Sequence, residues 1–185
     1  MMTVTLVGKP APDFEMPSTK NLERLDEPVR LQDYRGQWLV FFFYPADFTF
    51  VCPTEIRALS ERFDDFKELG ADILGCSVDS VWVHRAWIKS PPDGDPEGLG
   101  PIHYPLASDP TRAVSRRYGV LVEETGTAMR GLFLIDPDGR VRYEVVHENA
   151  VGRSVDETLR VLQALQTGEL CGANWRPGQR TLAAR

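Results

Sequence analysis

The chain has 185 residues, 42% of them hydrophobic and 26% charged, which is the size and composition of one ordinary globular domain. This balance excludes a disordered, collagenous or coiled-coil protein. The 21 basic and 27 acidic residues give a net charge of -6, which disfavours nucleic acid and anionic lipid surfaces as partners.

The ends and the cysteines bear on where the protein acts. Residues 1–10 lack the basic start and the apolar stretch of a secretory signal, and the longest apolar run, residues 38–44, is too short to span a bilayer. Three cysteines without a close pair are typical of thiols in a reducing compartment. We therefore expect a soluble, cytoplasmic protein with no membrane partner, whose thiols are inert, metal-bound or reactive.

The first half of the chain predicts a strand, a helix and a second strand. Prolines and polar clusters in residues 1–35 predict extended and turn structure. Residues 38–44 are continuously apolar and predict a strand that is buried on both faces. Residues 54–69 have the apolar spacing of an amphipathic helix that Gly70 ends, and residues 71–78 predict a second buried strand. Such a unit forms a right-handed parallel crossover.

Shorter elements follow in the second half. In chain order, the patterns predict a helix over 80–89, a long loop over 90–100, a strand over 103–107 and a helix over 109–118. Residues 132–136 and 140–146 flank Pro137-Asp138-Gly139, and these turn residues predict a β-hairpin. The whole pattern indicates an α/β fold with a mixed central sheet flanked by helices.

The C-terminal part predicts a helix and a tail. Ser154 and Glu157 have the spacing of a capping box at the start of a helix that Gly168 ends. Glycines and proline in residues 169–185 predict an irregular, mobile tail. We therefore expect one domain over residues 1–168 and a tail over residues 169–185.

Cys52 is the strongest candidate for chemistry. It directly precedes Pro53, a residue favoured in the first helical turn, so its sulfur is predicted at a helix N-terminus. Unpaired amides and the helix dipole favour an anion there, and such placements raise the thiolate fraction of a cysteine. The alternative is a buried helix-cap cysteine that packs as a small hydrophobic residue. We favour the reactive thiol, because ligands bind at the carboxyl ends of strands in such folds.

The other two cysteines give weaker signals. Cys76 lies within the predicted buried strand 71–78 and is expected in the core. Cys171 lies in the tail, where a mobile thiol could meet another thiol or have no function, and the residues alone leave both alternatives open. The cysteines and the scattered histidines do not match zinc-site spacing, and no nucleotide-binding glycine pattern is present. We therefore expect neither a metal nor an organic cofactor.

One segment carries a family resemblance. Residues 43–56, FYPADFTFVCPTEI, resemble the active-site segment of the peroxiredoxins, in which a proline, a threonine or serine and a cysteine follow at fixed spacing. Those residues are Pro45, Thr49 and Cys52 here. The resemblance continues through residues 8–14, 108–110, 130–136, 151–159 and 168–178. The chain is most similar to typical two-cysteine peroxiredoxins of the alkyl hydroperoxide reductase C group, which implies a thioredoxin-like fold with an N-terminal extension.

The resemblance also implies roles for particular residues. Cys52 corresponds to the peroxidatic cysteine, and Cys171 to the resolving cysteine of the partner subunit. Arg130 matches the arginine beside the reactive sulfur, although by itself it would be interpreted as a surface charge at a strand edge. Glu55 matches the glutamate that holds the arginine network. The implied product of the two cysteines is an intersubunit disulfide.

The two remaining motif residues complete the implied site. The Thr49 hydroxyl can donate and accept hydrogen bonds beside the sulfur, and Pro45 can shield the sulfur from water without adding an amide. The implied activity is thiol-dependent reduction of hydrogen peroxide and small organic hydroperoxides. The electron donor would be a thioredoxin-like protein or a flavoprotein disulfide reductase, and the assembly a homodimer or a ring of five dimers. The alternative function is a holdase chaperone or a redox-relay sensor on the same assembly.

One departure from the family pattern leads to a further expectation. Certain eukaryotic members carry a Gly-Gly-Leu-Gly loop together with a C-terminal helix bearing Tyr-Phe, and they are prone to overoxidation. Here residues 97–100 are Glu-Gly-Leu-Gly, and no Tyr-Phe pair follows. We therefore expect an enzyme that resists overoxidation of Cys52. Residues 91–96 carry no functional prediction.

Overall fold

A computed structural model describes residues 5–184; residues 1–4 and 185, at the ends of the predicted extension and tail, lie outside it. The strands are β1 (Glu15–Met16), β2 (Val29–Arg30), β3 (Trp38–Phe43), β4 (Ala71–Ser77), β5 (Leu106–Ser108), β6 (Leu121–Val122), β7 (Thr127–Ala128), β8 (Arg130–Ile135), β9 (Val141–His147), β10 (Glu169–Leu170) and β11 (Ala183–Ala184). The helices are a 3₁₀ turn (Leu31–Tyr34), α1 (Cys52–Glu61), α2 (Phe63–Glu68), α3 (Val81–Lys89), α4 (Ala113–Arg117) and α5 (Val155–Gln166). Contacts group the chain into two compact units, one ending at Arg153 and the other beginning at Ser154.

The first unit is built on a five-stranded sheet in the order β5-β4-β3-β8-β9. Strand β3 runs parallel to β4, and β4 runs parallel to β5. On its other side, β3 pairs antiparallel with β8, which forms the predicted hairpin with β9. The predicted mixed sheet flanked by helices is therefore confirmed, and its parallel half brings the ends of β3 and β4 to one edge.

Aromatic side chains of β3 fill both faces of this sheet. Successive side chains of a strand point to opposite faces, so Phe41 and Phe43 share one face and Phe42 lies on the other. The Tyr118 ring packs against both Phe41 and Phe43, at centroid distances of 5.0 and 5.3 Å. The Phe42 ring packs edge-on against Tyr104 at 5.9 Å. Because β3 is buried on both faces, it forms a fixed support for the loop that follows it.

The predicted helix over residues 54–69 is two helices. Helix α1 begins two residues earlier than predicted, at Cys52, since Pro53 in the first turn needs no hydrogen-bond acceptor for a backbone N–H. Arg62 then has φ -103° and ψ 15°, which ends α1 and starts α2. The apolar spacing continues across this break, which is why the sequence pattern did not reveal it.

Two further predicted boundaries were wrong by a few residues. The helix predicted over 109–118 is only α4, because Arg112 is left-handed at φ 60° and the Asp109 carboxylate instead accepts hydrogen bonds from the backbone and hydroxyl of Ser115 at 2.7 and 2.8 Å. The strand predicted over 103–107 is β5, shifted towards the C-terminus. Its shift has a local cause, since Pro105 has no N–H to donate to the sheet.

The second unit contains α5 and the tail. The Ser154 hydroxyl caps α5 by accepting from the backbone N–H of Glu157 at 3.2 Å, but the Glu157 carboxylate pairs with Arg160, so half of the predicted capping box forms. The tail was predicted to be irregular, but it contains two short strands, because β10 pairs antiparallel with β11. The N–H of Leu182 extends this pairing by donating to the Leu170 carbonyl at 2.8 Å. Within residues 5–184, no helix has the length and apolar character that crossing a membrane requires.

Candidate active site

Cys52 occupies the position that the sequence predicts for it. It is the first residue of α1, at the end of the loop that leaves β3. Its side chain is fully buried and is a free thiol. The helix places the positive end of its dipole beside the sulfur, an environment that favours an anion.

Arg130, the first residue of β8, lies directly beside this sulfur. Its Nη1 is 3.4 Å from the Cys52 Sγ and donates to the Glu55 carboxylate at 2.6 Å. Its Nε donates to the backbone carbonyl of Asn149 at 2.9 Å. Arg130 is only 3% exposed, so it is not a surface charge at a strand edge. Glu55 lies one helical turn after Cys52, which places both side chains on the same face of α1.

Arg153 is a site residue that the sequence analysis did not single out. Its Nε and backbone N–H both bind the Glu55 Oε1, at 2.7 and 2.8 Å, and its Nη2 donates to Oε2 at 3.1 Å. Its Nη1 donates to the backbone carbonyl of Phe43 at 2.9 Å and to that of Gly131. The one available signal was its place in residues 151–159, which belong to the family resemblance. Arg153 therefore ties the end of β3 to the carboxylate that holds Arg130.

The side chains around the sulfur carry a net positive charge. Arg130, Arg153 and Glu55 are all buried, and together they carry two positive charges and one negative charge. An uncompensated charge in a buried site is costly unless it is paired. The three side chains therefore present one net positive charge to the Cys52 sulfur.

The remaining motif residues, Pro45 and Thr49, lie half-buried in the loop between β3 and α1. The Thr49 hydroxyl donates to the backbone carbonyl of Ala46 at 2.9 Å, which leaves its oxygen lone pairs available as acceptors. Phe48, between them, is left-handed at φ 53°, so the loop turns sharply before Cys52. The assigned roles of Pro45 and Thr49 stay predictions.

A polar cluster around Asp47 holds the loop between β3 and α1 in place. The Asp47 carboxylate is 2.7 Å from the His84 Nδ1 and accepts from the Tyr44 hydroxyl at 2.9 Å. The backbone N–H of Asp47 donates to the Asp79 carboxylate at 3.0 Å. Burial raises the pKa of Asp47, while its hydrogen bond with His84 opposes that rise. No sequence pattern indicates this cluster, because a single histidine has no spacing that marks its partners.

The other two cysteines lie in different surroundings. Cys76 is fully buried in β4, with its sulfur 3.8 Å from the Met16 sulfur, and burial raises the pKa of the Cys76 thiol well above its ordinary value. It lies in the core, as predicted. Cys171 is half-buried at the start of the tail, with its sulfur 3.5 Å from the Thr167 hydroxyl and 3.7 Å from the Ala164 carbonyl. In the described part of the chain, no group of three or more His, Cys, Asp or Glu side chains is arranged so that it could hold a metal ion.

Known proteins resemble this chain over most of its length. Residues 7–144 match the model of the AhpC/TSA family. A putative peroxiredoxin in the rubredoxin operon of Clostridium pasteurianum is 55% identical over 177 residues, which are 96% of this chain and 98% of the relative. The solved structure of reduced Plasmodium vivax 2-Cys peroxiredoxin has a TM-score of 0.90 at 40% identity, covering 96% of this chain and 93% of that one. Plasmodium yoelii thioredoxin peroxidase I has a TM-score of 0.80 at 42% identity, covering 94% and 100%.

The fold and a buried cysteine beside an arginine define a thiol-dependent enzyme with a thioredoxin-like sheet, and the chain belongs to the AhpC/TSA family. Within that family it is a typical two-cysteine peroxiredoxin, and hence a thiol peroxidase. The family and the thioredoxin-like fold expected from the sequence are both confirmed.

Proposed function

We propose that this peroxidase reduces hydrogen peroxide and small organic hydroperoxides through a sulfenic acid at Cys52. The observation that carries the proposal is the Arg130 guanidinium, 3.4 Å from the buried Cys52 sulfur. The thiolate attacks the nearer peroxide oxygen, a sulfur–oxygen bond forms and the oxygen–oxygen bond breaks. The departing oxygen leaves with the electron pair of that bond and takes up a proton, giving water or an alcohol.

Each side chain of the site supports one part of this step. Negative charge moves from sulfur to the departing oxygen, and a preorganised donor near that oxygen lowers the barrier. Arg130 is that donor, whereas Glu55 and Arg153 act through Arg130 and are positioning residues. In the same proposal the Thr49 hydroxyl binds the peroxide, and Pro45 limits the access of water to the sulfur.

The second half of the cycle uses Cys171. The thiol of the partner subunit's Cys171 attacks the Cys52 sulfenic acid, which forms a disulfide and releases water. Two chains are needed for this bond, so the working unit is a homodimer. An external dithiol then reduces the disulfide, and a thioredoxin-like protein is the favoured donor because a structurally similar relative is named thioredoxin peroxidase. A flavoprotein disulfide reductase is the other donor class.

Two finer points belong to the same proposal. The three free cysteines fit a reducing compartment, from which we infer a cytoplasmic protein. The peroxidase domain spans residues 1–168, and residues 169–185 form the tail that presents Cys171.

Cysteine variants test this cycle. Cys52→Ser should abolish peroxide consumption. Oxidised wild type should run near twice the subunit mass on a non-reducing gel, and Cys171→Ser should lose that band while still forming the Cys52 sulfenic acid. Cys76→Ser is the matched control and should behave as wild type. A disulfide within one chain that disappears in Cys76→Ser would contradict the assignment of Cys171.

A further inference from the structure

Helix α1 is fastened to the rest of the first unit from Glu55 onward, and Glu55 itself is bonded to Arg130 and Arg153. The backbone carbonyl of Ile56 accepts from the buried Tyr104 hydroxyl at 2.8 Å. The Ser60 hydroxyl accepts from the backbone N–H of His103 at 3.0 Å. These contacts hold the helix after its first turn, where Cys52 is located.

Arg57 adds a further contact between α1 and the loop after α3. Its Nε donates to the Leu99 carbonyl at 3.1 Å, and its Nη2 donates to the Gly98 carbonyl. Its Nη1 pairs with the Glu97 carboxylate at 2.7 Å. One side chain of the helix therefore binds three consecutive residues of the loop, and we call this set the Arg57 clamp (Arg57 with residues 97–99).

The loop side of the Arg57 clamp is itself fixed. The N–H of Leu99 donates to the Trp87 carbonyl at 2.9 Å, and the Leu99 side chain is buried. Gly98 packs so closely that a Cβ there would lie 2.2 Å from the Ser90 carbonyl oxygen. The two acceptor carbonyls thus have defined positions, and Arg57 holds α1 against a rigid partner.

The start of α1, residues 52–54, is attached more weakly than Glu55, whose carboxylate is bonded to Arg130 and Arg153. The Thr54 hydroxyl bonds back to the Val51 carbonyl at 2.6 Å, within the same turn. The amides of Thr54 and Glu55 donate to that same carbonyl, at 3.1 and 3.4 Å. The contact of Cys52 with Arg130 involves the sulfur, which changes chemically during the cycle. The first turn can therefore open while the rest of the helix stays in place.

The proposed resolution step needs this turn to open. A disulfide needs two Cβ atoms about 3.8 Å apart. The Cys52 side chain, at the start of α1, is fully buried, so a second cysteine cannot approach it this closely while the turn is closed. Unwinding residues 52–54 lengthens the chain by about 5 Å, because a residue rises about 1.5 Å in a helix and roughly 3.3 Å when extended. How readily this happens depends on how firmly the next turn is held, since helix residues wind and unwind cooperatively.

We propose that Arg57 is a positioning residue that sets how often the first turn of α1 opens, and thereby how the Cys52 sulfenic acid is divided between two fates. In the open state it condenses with the partner subunit's Cys171 to give the disulfide and water. In the closed state a second peroxide transfers one oxygen to the sulfur, giving sulfinic acid and water or an alcohol. This inference rests on the proposed function, and it concerns the step after peroxide attack.

Arg57→Met tests the proposal, because methionine keeps an unbranched side chain of similar reach but removes all three polar contacts. Arg116→Met is the matched control, since Arg116 lies on α4 and pairs with the exposed Glu123 at 2.7 Å. Hydrogen exchange of the Thr54 and Glu55 amides in the reduced protein reports opening of the first turn directly. Intact mass after peroxide treatment, in the presence of a recycling dithiol, reports the fraction of sulfinic acid.

In Arg57→Met the hydrogen-exchange rate of the Thr54 and Glu55 amides should rise about tenfold. This is the factor expected when one hydrogen bond from a charged donor is lost. The peroxide concentration that half-converts Cys52 to sulfinic acid should rise by a similar factor, while the rate of the first oxidation stays as in wild type. Glu97→Gln keeps the carbonyl contacts, so it should shift both readouts in the same direction by less, and it serves if Arg57→Met does not fold. Exchange and overoxidation equal to those of Arg116→Met would overturn the proposal. Loss of all peroxide consumption in wild type would instead overturn the proposed function.

Discussion

Replacement of Arg130 by methionine removes a guanidinium that contacts the Cys52 sulfur. The variant loses the contact of Nη1 with the Cys52 Sγ at 3.4 Å and its bond to the Glu55 carboxylate at 2.6 Å. Glu55 keeps its bonds to Arg153, so the carboxylate is not left unpaired. The main effect should therefore fall on peroxide attack and not on folding.

The expected size of this effect follows from the geometry. At 3.4 Å a full positive and a full negative charge attract by about 5 kcal/mol with an effective dielectric constant of about 20. The part that acts on the barrier is smaller, because in the proposed step the attacking thiolate carries its charge before attack. Removing one preorganised donor in other enzymes costs about 3–4 kcal/mol, or roughly 10²- to 10³-fold in rate. We expect the second-order rate constant for Cys52 oxidation to fall by that factor in Arg130→Met.

Rapid mixing with hydrogen peroxide, followed by intact mass, measures this rate constant. Arg142→Met is the matched control, since Arg142 lies on the neighbouring β9 and pairs with Asp136 at 3.1 Å away from the sulfur. The control should react as wild type does. If a folded Arg130→Met reacted within threefold of the control, the guanidinium would not be the group that stabilises the departing oxygen.

Three further predictions concern other parts of the molecule. Arg153→Met should lower the free energy of unfolding by about 3 kcal/mol in denaturant titration, because it removes the donor to the Phe43 and Gly131 carbonyls as well as one of the two partners of Glu55. A loss below about 1 kcal/mol would contradict the burial argument. Native Cys76 should resist iodoacetamide at pH 8, because burial keeps the pKa of its thiol well above the ordinary value and the thiol protonated until the chain unfolds. Labelling at the rate of a free thiol would show that β4 is open. Ser154→Ala should cost about 1 kcal/mol of unfolding free energy by removing the α5 cap, and an unchanged denaturation midpoint would contradict that role.

The parts of the fold that the sequence predicts are those with local causes. The apolar residues of β3 follow one another directly, and so do the turn residues between β8 and β9. Each pattern is therefore visible within a short stretch of sequence. The placement of Cys52 at a helix N-terminus is equally local, since it depends on the neighbouring Pro53. The break at Arg62 was not predictable, because the apolar spacing continues through it.

The parts of the site that the sequence does not predict depend on distant partners. Arg153 and Glu55 are 98 residues apart, and Asp47 and His84 are 37 apart, so neither pair has a spacing that marks it. Arg130 by itself had the pattern of a surface charge, and only the family resemblance indicated its role. These buried charges are paired because the sheet brings the start of β8 and the end of β3 to the first turn of α1.

The most direct test is the oxidation of Cys52 in a chain where it is the sole thiol, with Cys76→Ala and Cys171→Ser. At neutral pH and a stoichiometric amount of hydrogen peroxide, we predict that one oxygen is added to Cys52 far faster than to free cysteine, and that adding Arg130→Met removes most of this advantage. A Cys52 that reacts no faster than free cysteine, in a protein shown to be folded, would contradict the account.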